Sequence, residues 1–380
     1  MQPLLSIIIP TKNRYETLIP VVNAFIDNIQ GAEYEIIIQD NSNNNREAME
    51  WLEQQKDSRI KYFYESQTIS ITENTNRAFE NSYGEYIIFI GDDDFVSPYV
   101  LDIVNMMKEK DIENITYYPG YYWWESIEFV LENYYHRKKA LWMSQKIDTV
   151  LQKKDAKKKL DEVLRNGSDY YYDLPRVYHG LTKRSVLEKI KTKTGVYLIG
   201  SCPDMAFSVS VALVLDYYYY MNFPVSIFGG SKNSAAGLEA KKILYAKLED
   251  VSILPPTIVE TWNKNIPCYW TAGSITVQSA YEVLQSFDSN KRINFIPYYA
   301  AILVNEKKLV YKMFPLLFRY ARFNLLKYIE FILFVYKKIA GRILRKYKLN
   351  HRKMPYDVSI QSNAEVVMCF LKRYHFYDDK

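Results

Sequence analysis

The chain has 380 residues, 48% apolar and 24% charged, a globular composition that excludes a disordered or collagen-like protein. That length exceeds what one growing core usually serves, so a larger domain with an appended part is expected. The formal charge of +5 is modest, and the three cysteines, Cys202, Cys268 and Cys369, lack the count and spacing of a disulfide framework or a zinc site, so a reducing compartment fits.

The opening MQPLLSIIIPTKNR holds an apolar run too short for a signal peptide, which leads to the expectation of a cytoplasmic location. Leu4 to Ile9 reads as a strand ended by Pro10, followed by polar Thr11 to Arg14 and an apolar-periodic helix from Leu18 to Ile29. Pro20 is expected near that helix start, where a missing N–H costs little. Tyr34 to Ile38 is a second strand closing on Gln39-Asp40-Asn41-Ser42, then come a helix over about 46–55 and a third strand over 60–64. Ser70 with Glu73 forms a capping box opening a helix through Asn81, and Tyr86 to Ile90 is a fourth strand running into Gly91-Asp92-Asp93-Asp94.

Strands alternating with helices predict a mostly parallel, Rossmann-like α/β sheet flanked by helices. Ligands bind beyond the carboxyl ends of such strands, so Asn13, Asp40 and Asp92 to Asp94 are expected to converge on one crevice. Lys153 to Lys159 reads as a charged, exposed linking helix. Farther on, the loop Ser201-Cys202-Pro203-Asp204 precedes an apolar helix, and Gly229 to Ser234 is rich in turn formers. The aromatic runs Tyr117 to Trp124, Tyr170 to Tyr172 and Tyr217 to Tyr220 suit core packing, or a groove in which rings stack on sugars.

Three adjacent carboxylates repel one another unless water or a cation relieves them. An oxygen-rich cluster suits Mg²⁺ or Mn²⁺, with substrate phosphates completing the shell. A solvated turn is the plain alternative for Gly91 to Asp94, and an Asx-turn is the alternative for Asp40. His179 carries no assignment from sequence.

The ordered segments IIIPTKNR, IIIQDNS and ENTNRAFENSYGEYIIFIGDDD strongly resemble the N-terminal half of family 2 glycosyltransferases, which have the GT-A fold. The resemblance covers residues 4–110, is looser over 175–237 and stops there. It implies that Pro10, Thr11 and Arg14 lie beside the nucleotide and that Asp40 hydrogen-bonds the base, typically a uracil. Asn74 and Arg77 match a polar pair near the diphosphate, and Lys232 matches a contact in the loop over the phosphates. The Asp-x-Asp motif falls on Gly91 to Asp94, with Gly91 where the first acid usually stands. Asp92, Asp93 and Asp94 are then the metal candidates, with Asp92 also at the nucleotide sugar, and Asp204 matches the catalytic base that deprotonates an acceptor hydroxyl.

The expected organisation is a catalytic domain over 1–240, with a nucleotide-sugar half (1–110) and an acceptor half (111–240), and a mainly helical region over 241–380. From Tyr311 to Lys348, apolar residues mix with ten lysines and arginines without a stretch long enough to span a bilayer. That pattern points to an anionic membrane surface, with a helical subdomain or oligomer contact bearing a solvated basic face as the alternative and no nucleic-acid module. The expected activity is inverting transfer from a nucleotide sugar, UDP-linked by resemblance, to a hydroxyl of a carbohydrate or lipid-linked oligosaccharide. The setting by resemblance is bacterial surface polysaccharide synthesis, at the inner face of the cell membrane. A sugar-nucleotide nucleotidyltransferase is a rival, disfavoured because PTKNR lacks the glycines of a triphosphate loop. The other rival is a non-catalytic membrane-bound carbohydrate-binding module.

Overall fold

A computed structural model describes residues 2–133, 136–142, 147–241 and 245–351. Cys369 and the end of the 241–380 region lie outside the described residues, as do the side chains of Arg345, Lys346 and Lys348.

The apolar runs form strands as expected: β1 (Leu5–Thr11), β2 (Tyr34–Asp40), β3 (Ile60–Tyr64) and β4 (Tyr86–Phe89). They are followed by β5 (Phe95–Val96), β6 (Asn114–Thr116), β7 (Gly120–Trp123) and β8 (Ala140–Trp142). The last four are β9 (Leu151–Asp155), β10 (Gly180–Lys183), β11 (Tyr217–Met221) and β12 (Ser226–Gly230). An eight-stranded sheet runs β3-β2-β1-β4-β10-β6-β11-β9, and a four-stranded sheet runs β5-β12-β7-β8. β3, β2, β1 and β4 pair in parallel, which puts their carboxyl ends on one edge. β10 enters antiparallel between β4 and β6.

Every residue of β2 is buried, the pattern of a strand covered on both faces. Ser70 caps the helix Ile71–Glu80 by accepting the Glu73 amide, but the Glu73 carboxylate pairs with Arg77 instead of completing the expected capping box. Two further expectations change. Pro20 lies inside the helix Tyr15–Asn28, because the polar turn before it is short and helix winding starts at Tyr15. Residues 151–155 are an edge strand, and the linking helix starts only at Ala156, capped by Asp155. The backbone of 153–155 is taken up by pairing with β11.

Residues 245–351 are mainly helical, and they share a core with the sheet. Val277, Ala280 and Leu284 of the helix Ala272–Ser286 join one buried cluster with Phe207 and Val211 of the helix Pro203–Val214 and with Ile87 and Phe89 of β4. No described helix is long and apolar enough to cross a membrane.

Candidate active site

β1, β2 and β4 deliver their polar ends to one edge, and Gly91 to Asp94 occupies its centre. All three aspartates are buried, and each has a different set of partners. Asp92 Oδ2 accepts from Thr11 Oγ1 at 2.5 Å and from Arg14 Nε at 3.0 Å, while Arg14 Nη2 lies 2.6 Å from Oδ1. Asp93 Oδ2 accepts from the Ser231 amide at 3.0 Å and its hydroxyl at 2.6 Å, with Arg14 Nη1 3.6 Å from Oδ1. Asp94 is the most enclosed. Its Oδ2 receives the Gly91 amide at 2.6 Å, the Tyr178 hydroxyl at 2.9 Å and the His179 Nε2 contact at 3.0 Å, and its Oδ1 receives the Gly229 amide at 2.7 Å.

The electrostatics follow these partners. Burial pushes the carboxyls of Asp92 and Asp93 upward against the opposing pull of Arg14. Burial also acts on Asp94, but the His179 ring and the two backbone amides outweigh it and hold Asp94 below the usual carboxylate range. Arg14 is desolvated, yet Asp92 and Asp93 keep it firmly protonated.

Gly91 also has a local reason. A Cβ there would sit 3.1 Å from Asp94 Oδ2 and 3.3 Å from Asp93 Oδ1, so a longer side chain would crowd two carboxylates. At Gly229 a Cβ would fall 1.7 Å from the Asp93 carbonyl, and only glycine lets β12 approach that closely.

Of the three expected metal ligands, Asp92 and Asp93 could hold a divalent cation, provided Arg14 moves away from them. Oδ1 of Asp92 and Oδ1 of Asp93 face only the Arg14 guanidinium, which stands where a cation would. Asp94 fits less well, because three hydrogen-bond donors and the His179 ring already surround its two oxygens. Among the described residues no three acidic, histidine or cysteine side chains form a metal-holding group, so substrate oxygens would have to complete the shell.

Asp204 opens the helix Pro203–Val214, with Pro203 in its first turn. It is half-buried, and burial pushes its carboxyl from 3.8 up to about 6 against His179, a Tyr171 hydrogen bond and Arg176. Asp94 adds to the rise, so Asp204 belongs to the same crevice. Sequence reasoning left His179 unassigned and missed Tyr178, Ser231 and Arg176. His179 has a φ of 49°, an uncommon backbone state for a non-glycine residue. Its ring bridges Asp94 and the Ser226 hydroxyl, 2.6 Å from Nδ1. Arg176 is buried, held by Thr116 Oγ1 at 2.7 Å and by the rings of Tyr117 and Tyr172. A histidine or arginine amid aromatic and small residues is the only local trace of these roles.

The remaining expected residues are less convergent. Asp40, expected to meet a base, is fully enclosed and accepts from Tyr15 and Tyr62 hydroxyls at 2.5 and 2.6 Å and from the Ser42 amide at 2.7 Å. Pro10 is half-buried at the end of β1. Asn74 donates to the Gln39 carbonyl at 3.2 Å, while its buried Oδ1 has no partner. Arg77 pairs with Glu65 and Glu73, and exposed Lys232 pairs with Glu128 at 2.9 Å.

Residues 6–158 match the model of Glycosyl transferase family 2, and the fold is the GT-A type that the sequence led us to expect. Several crystal structures of S. aureus TarS are similar. One aligns at 14% identity with a TM-score of 0.41, over 64% of this chain and 39% of TarS. TarS 1-349 in complex with UDP aligns at 14% and 0.42, over 64% of each chain, and its UDP-GlcNAc complex at 15% and 0.47, over 83% of this chain and 80% of that one. The chain therefore spans less than two thirds of the first two. No curated protein matches the sequence.

Proposed function

We propose, from the premise that residues 6–158 are a glycosyltransferase family 2 domain, that this chain transfers a sugar with inversion from a nucleotide donor to an acceptor hydroxyl. The observation that carries this reading is Asp204, a half-buried carboxylate with its pKa raised to about 6, in the crevice of the acidic strand end. A base that is ionised at neutral pH yet keeps some proton affinity suits removal of a hydroxyl proton. In this reading Asp204 takes the acceptor proton, the attacking oxygen displaces the nucleoside diphosphate, and Tyr171 orients the carboxylate.

Arg14 is the cation nearest the strand-end acids and serves the donor's negative charge. A bound Mg²⁺ or Mn²⁺, held by Asp92 and Asp93, would supply Lewis-acid stabilisation of the leaving diphosphate. Asp94 with His179 and Tyr178 fixes the loop between β4 and β5, and the Gly229 amide ties it to β12. A UDP-linked donor and a carbohydrate or lipid-linked acceptor of a bacterial surface polysaccharide complete the proposal.

Its C-terminal helices suit the inner face of an anionic membrane. On Val310–Ala321 and Leu325–His351, Phe318, Leu325, Leu326, Ile332, Leu333 and Tyr336 are exposed beside Arg322, Lys337 and Arg342. A second reading has its own support. Leu325, Ile329, Ile332, Tyr336, Ile339 and Ile343 are all exposed at alternating spacings of four and three, the seam of a helix-to-helix contact between two copies. Screening nucleotide sugars for release of free nucleoside diphosphate, with and without Mn²⁺ or Mg²⁺, tests the main proposal. Absence of turnover with every donor would reject it.

A further inference from the structure

The small sheet carries an aromatic face that leads away from Asp204. Residues paired across neighbouring strands share a face, so Phe228 of β12, Tyr121 of β7 and Trp142 of β8 form one row, and Gly230, Trp123 and Ala140 form the next. The opposite face, with Ile227, Tyr122 and Leu141, is core. The first row adjoins the catalytic crevice. Phe228 lies 5.5 Å from the His179 ring and 5.5 Å from Tyr121. The Tyr121 hydroxyl is 3.3 Å from that of Tyr172, whose ring stacks on Tyr171, and Tyr171 faces Asp204.

In the second row Trp123 stands between a glycine and an alanine. Its indole lies so close across Gly230 that a Cβ there would meet Cζ3 at 2.3 Å. Beyond it opens a cavity of about 510 Å³ lined by Trp123, Phe129, Asn133, His136, Ala236 and Glu239, among others. Phe129 meets Trp123 edge-on at 5.4 Å, and His136 is 6.1 Å from Trp123. Glu239 lies on the short helix Ala235–Ala240, capped by Ser234, directly after the turn in which Ser231 holds Asp93. One side of the cavity is therefore built on the segment that follows the Asp93-binding turn.

We propose that this cavity is a subsite for a neutral pyranose unit of the acceptor, beyond the sugar whose hydroxyl meets Asp204. An indole face covers the C–H face of a pyranose ring, while the exposed Glu239 carboxylate accepts from its hydroxyls; Asn133 and His136 already bond each other at 3.2 Å and form a polar rim. An exposed carboxylate in the lining disfavours an anionic unit. The volume accommodates one or two sugar rings. The proposal rests on the glycosyl-transfer reading for its role, and on the cavity alone for its binding.

Calorimetric titration of the full chain with cellotetraose, chitotetraose and maltotetraose, without donor, tests it. At least one tetrasaccharide is expected to bind, and Trp123→Ala is expected to weaken it roughly 10-fold or more, the scale of one large buried apolar contact. Glu239→Gln should cost a few-fold and Trp123→Phe less than Trp123→Ala. Should Trp123→Ala fail to melt cooperatively, the other two variants decide. Failure of all three tetrasaccharides to bind, or unchanged affinity in the variants, overturns the subsite. Tryptophan-dependent sugar binding without turnover of any nucleotide sugar would keep the subsite and reject the transfer reading. Turnover without such binding would do the reverse.

Discussion

Replacing Asp204 with Asn separates catalysis from stability, because the same burial that shapes the base also penalises it. The carboxyl rises from 3.8 to about 6, so above pH 6 the folded state holds an anion that burial disfavours. The sign follows: Asp204 favours folding at low pH, where it is protonated in both states' ordinary range, and that contribution is lost as pH rises from about 4 through 6. The shift of about two units corresponds to an upper bound of about 3 kcal/mol at neutral pH, and water reaching a half-buried group reduces it. Asp204→Asn should therefore melt at or above the parent temperature at pH 7.5, with the gain fading toward pH 4. Transfer should fall roughly 10²–10⁴-fold in kcat, with donor affinity retained. In the parent, the rate should drop about tenfold per pH unit below about 6, as protonation removes the base. Melting curves and initial rates between pH 4 and 9 measure both. A variant that transfers sugar within a few-fold of the parent, or that is clearly less stable at neutral pH, would refute the assignment.

Four further outcomes follow from the site and the helices. Arg14→Ala leaves Asp92 and Asp93 without their buried counter-charge and should cost roughly 3–5 kcal/mol; Mn²⁺ should recover part of the melting temperature, and an unchanged melt would contradict the pairing. Asp94→Asn should destabilise by roughly 1.5–3 kcal/mol, because an amide can no longer accept from all three donors and loses the charge beside His179; equal denaturant midpoints for parent and variant would argue against it. Asp40→Ala should lower stability by roughly 1–3 kcal/mol by leaving the Tyr15 and Tyr62 hydroxyls unpaired, and a nucleotide-binding loss with no stability change would instead put Asp40 in contact with the base. Truncation after residue 305 or high salt should release the protein from anionic vesicles in flotation, since exposed charges are screened beyond about 8 Å at physiological ionic strength; salt-insensitive self-association would favour the helix-to-helix reading.

The order of strand, polar loop and helix through residue 90 is a local property, set by β-branched runs, the Ser70 cap and the short turns, and it is legible in the chain. So is the meeting of the strand ends, because parallel strands with helical crossovers must end on one edge; that pattern points to Asn13, Asp40 and Asp92 to Asp94, and only the resemblance adds Thr11 and Arg14. Asp204 was reached through its resemblance to a motif, and its half-burial beside His179 came from packing. What Asp93 and Asp94 each do was decided by partners far along the chain: Ser231 for Asp93, and His179 with Gly229 for Asp94. Those partners arrive because β10 inserts antiparallel beside β4 and β12 folds back over the loop, pairings between distant segments that no local pattern encodes. The aromatic face has the same origin. Residues 117–124 read as one aromatic cluster broken only by Pro119-Gly120, and only strand pairing sends Tyr122 into the core and Tyr121 and Trp123 to the opposite face, since neighbours on a strand point to opposite faces.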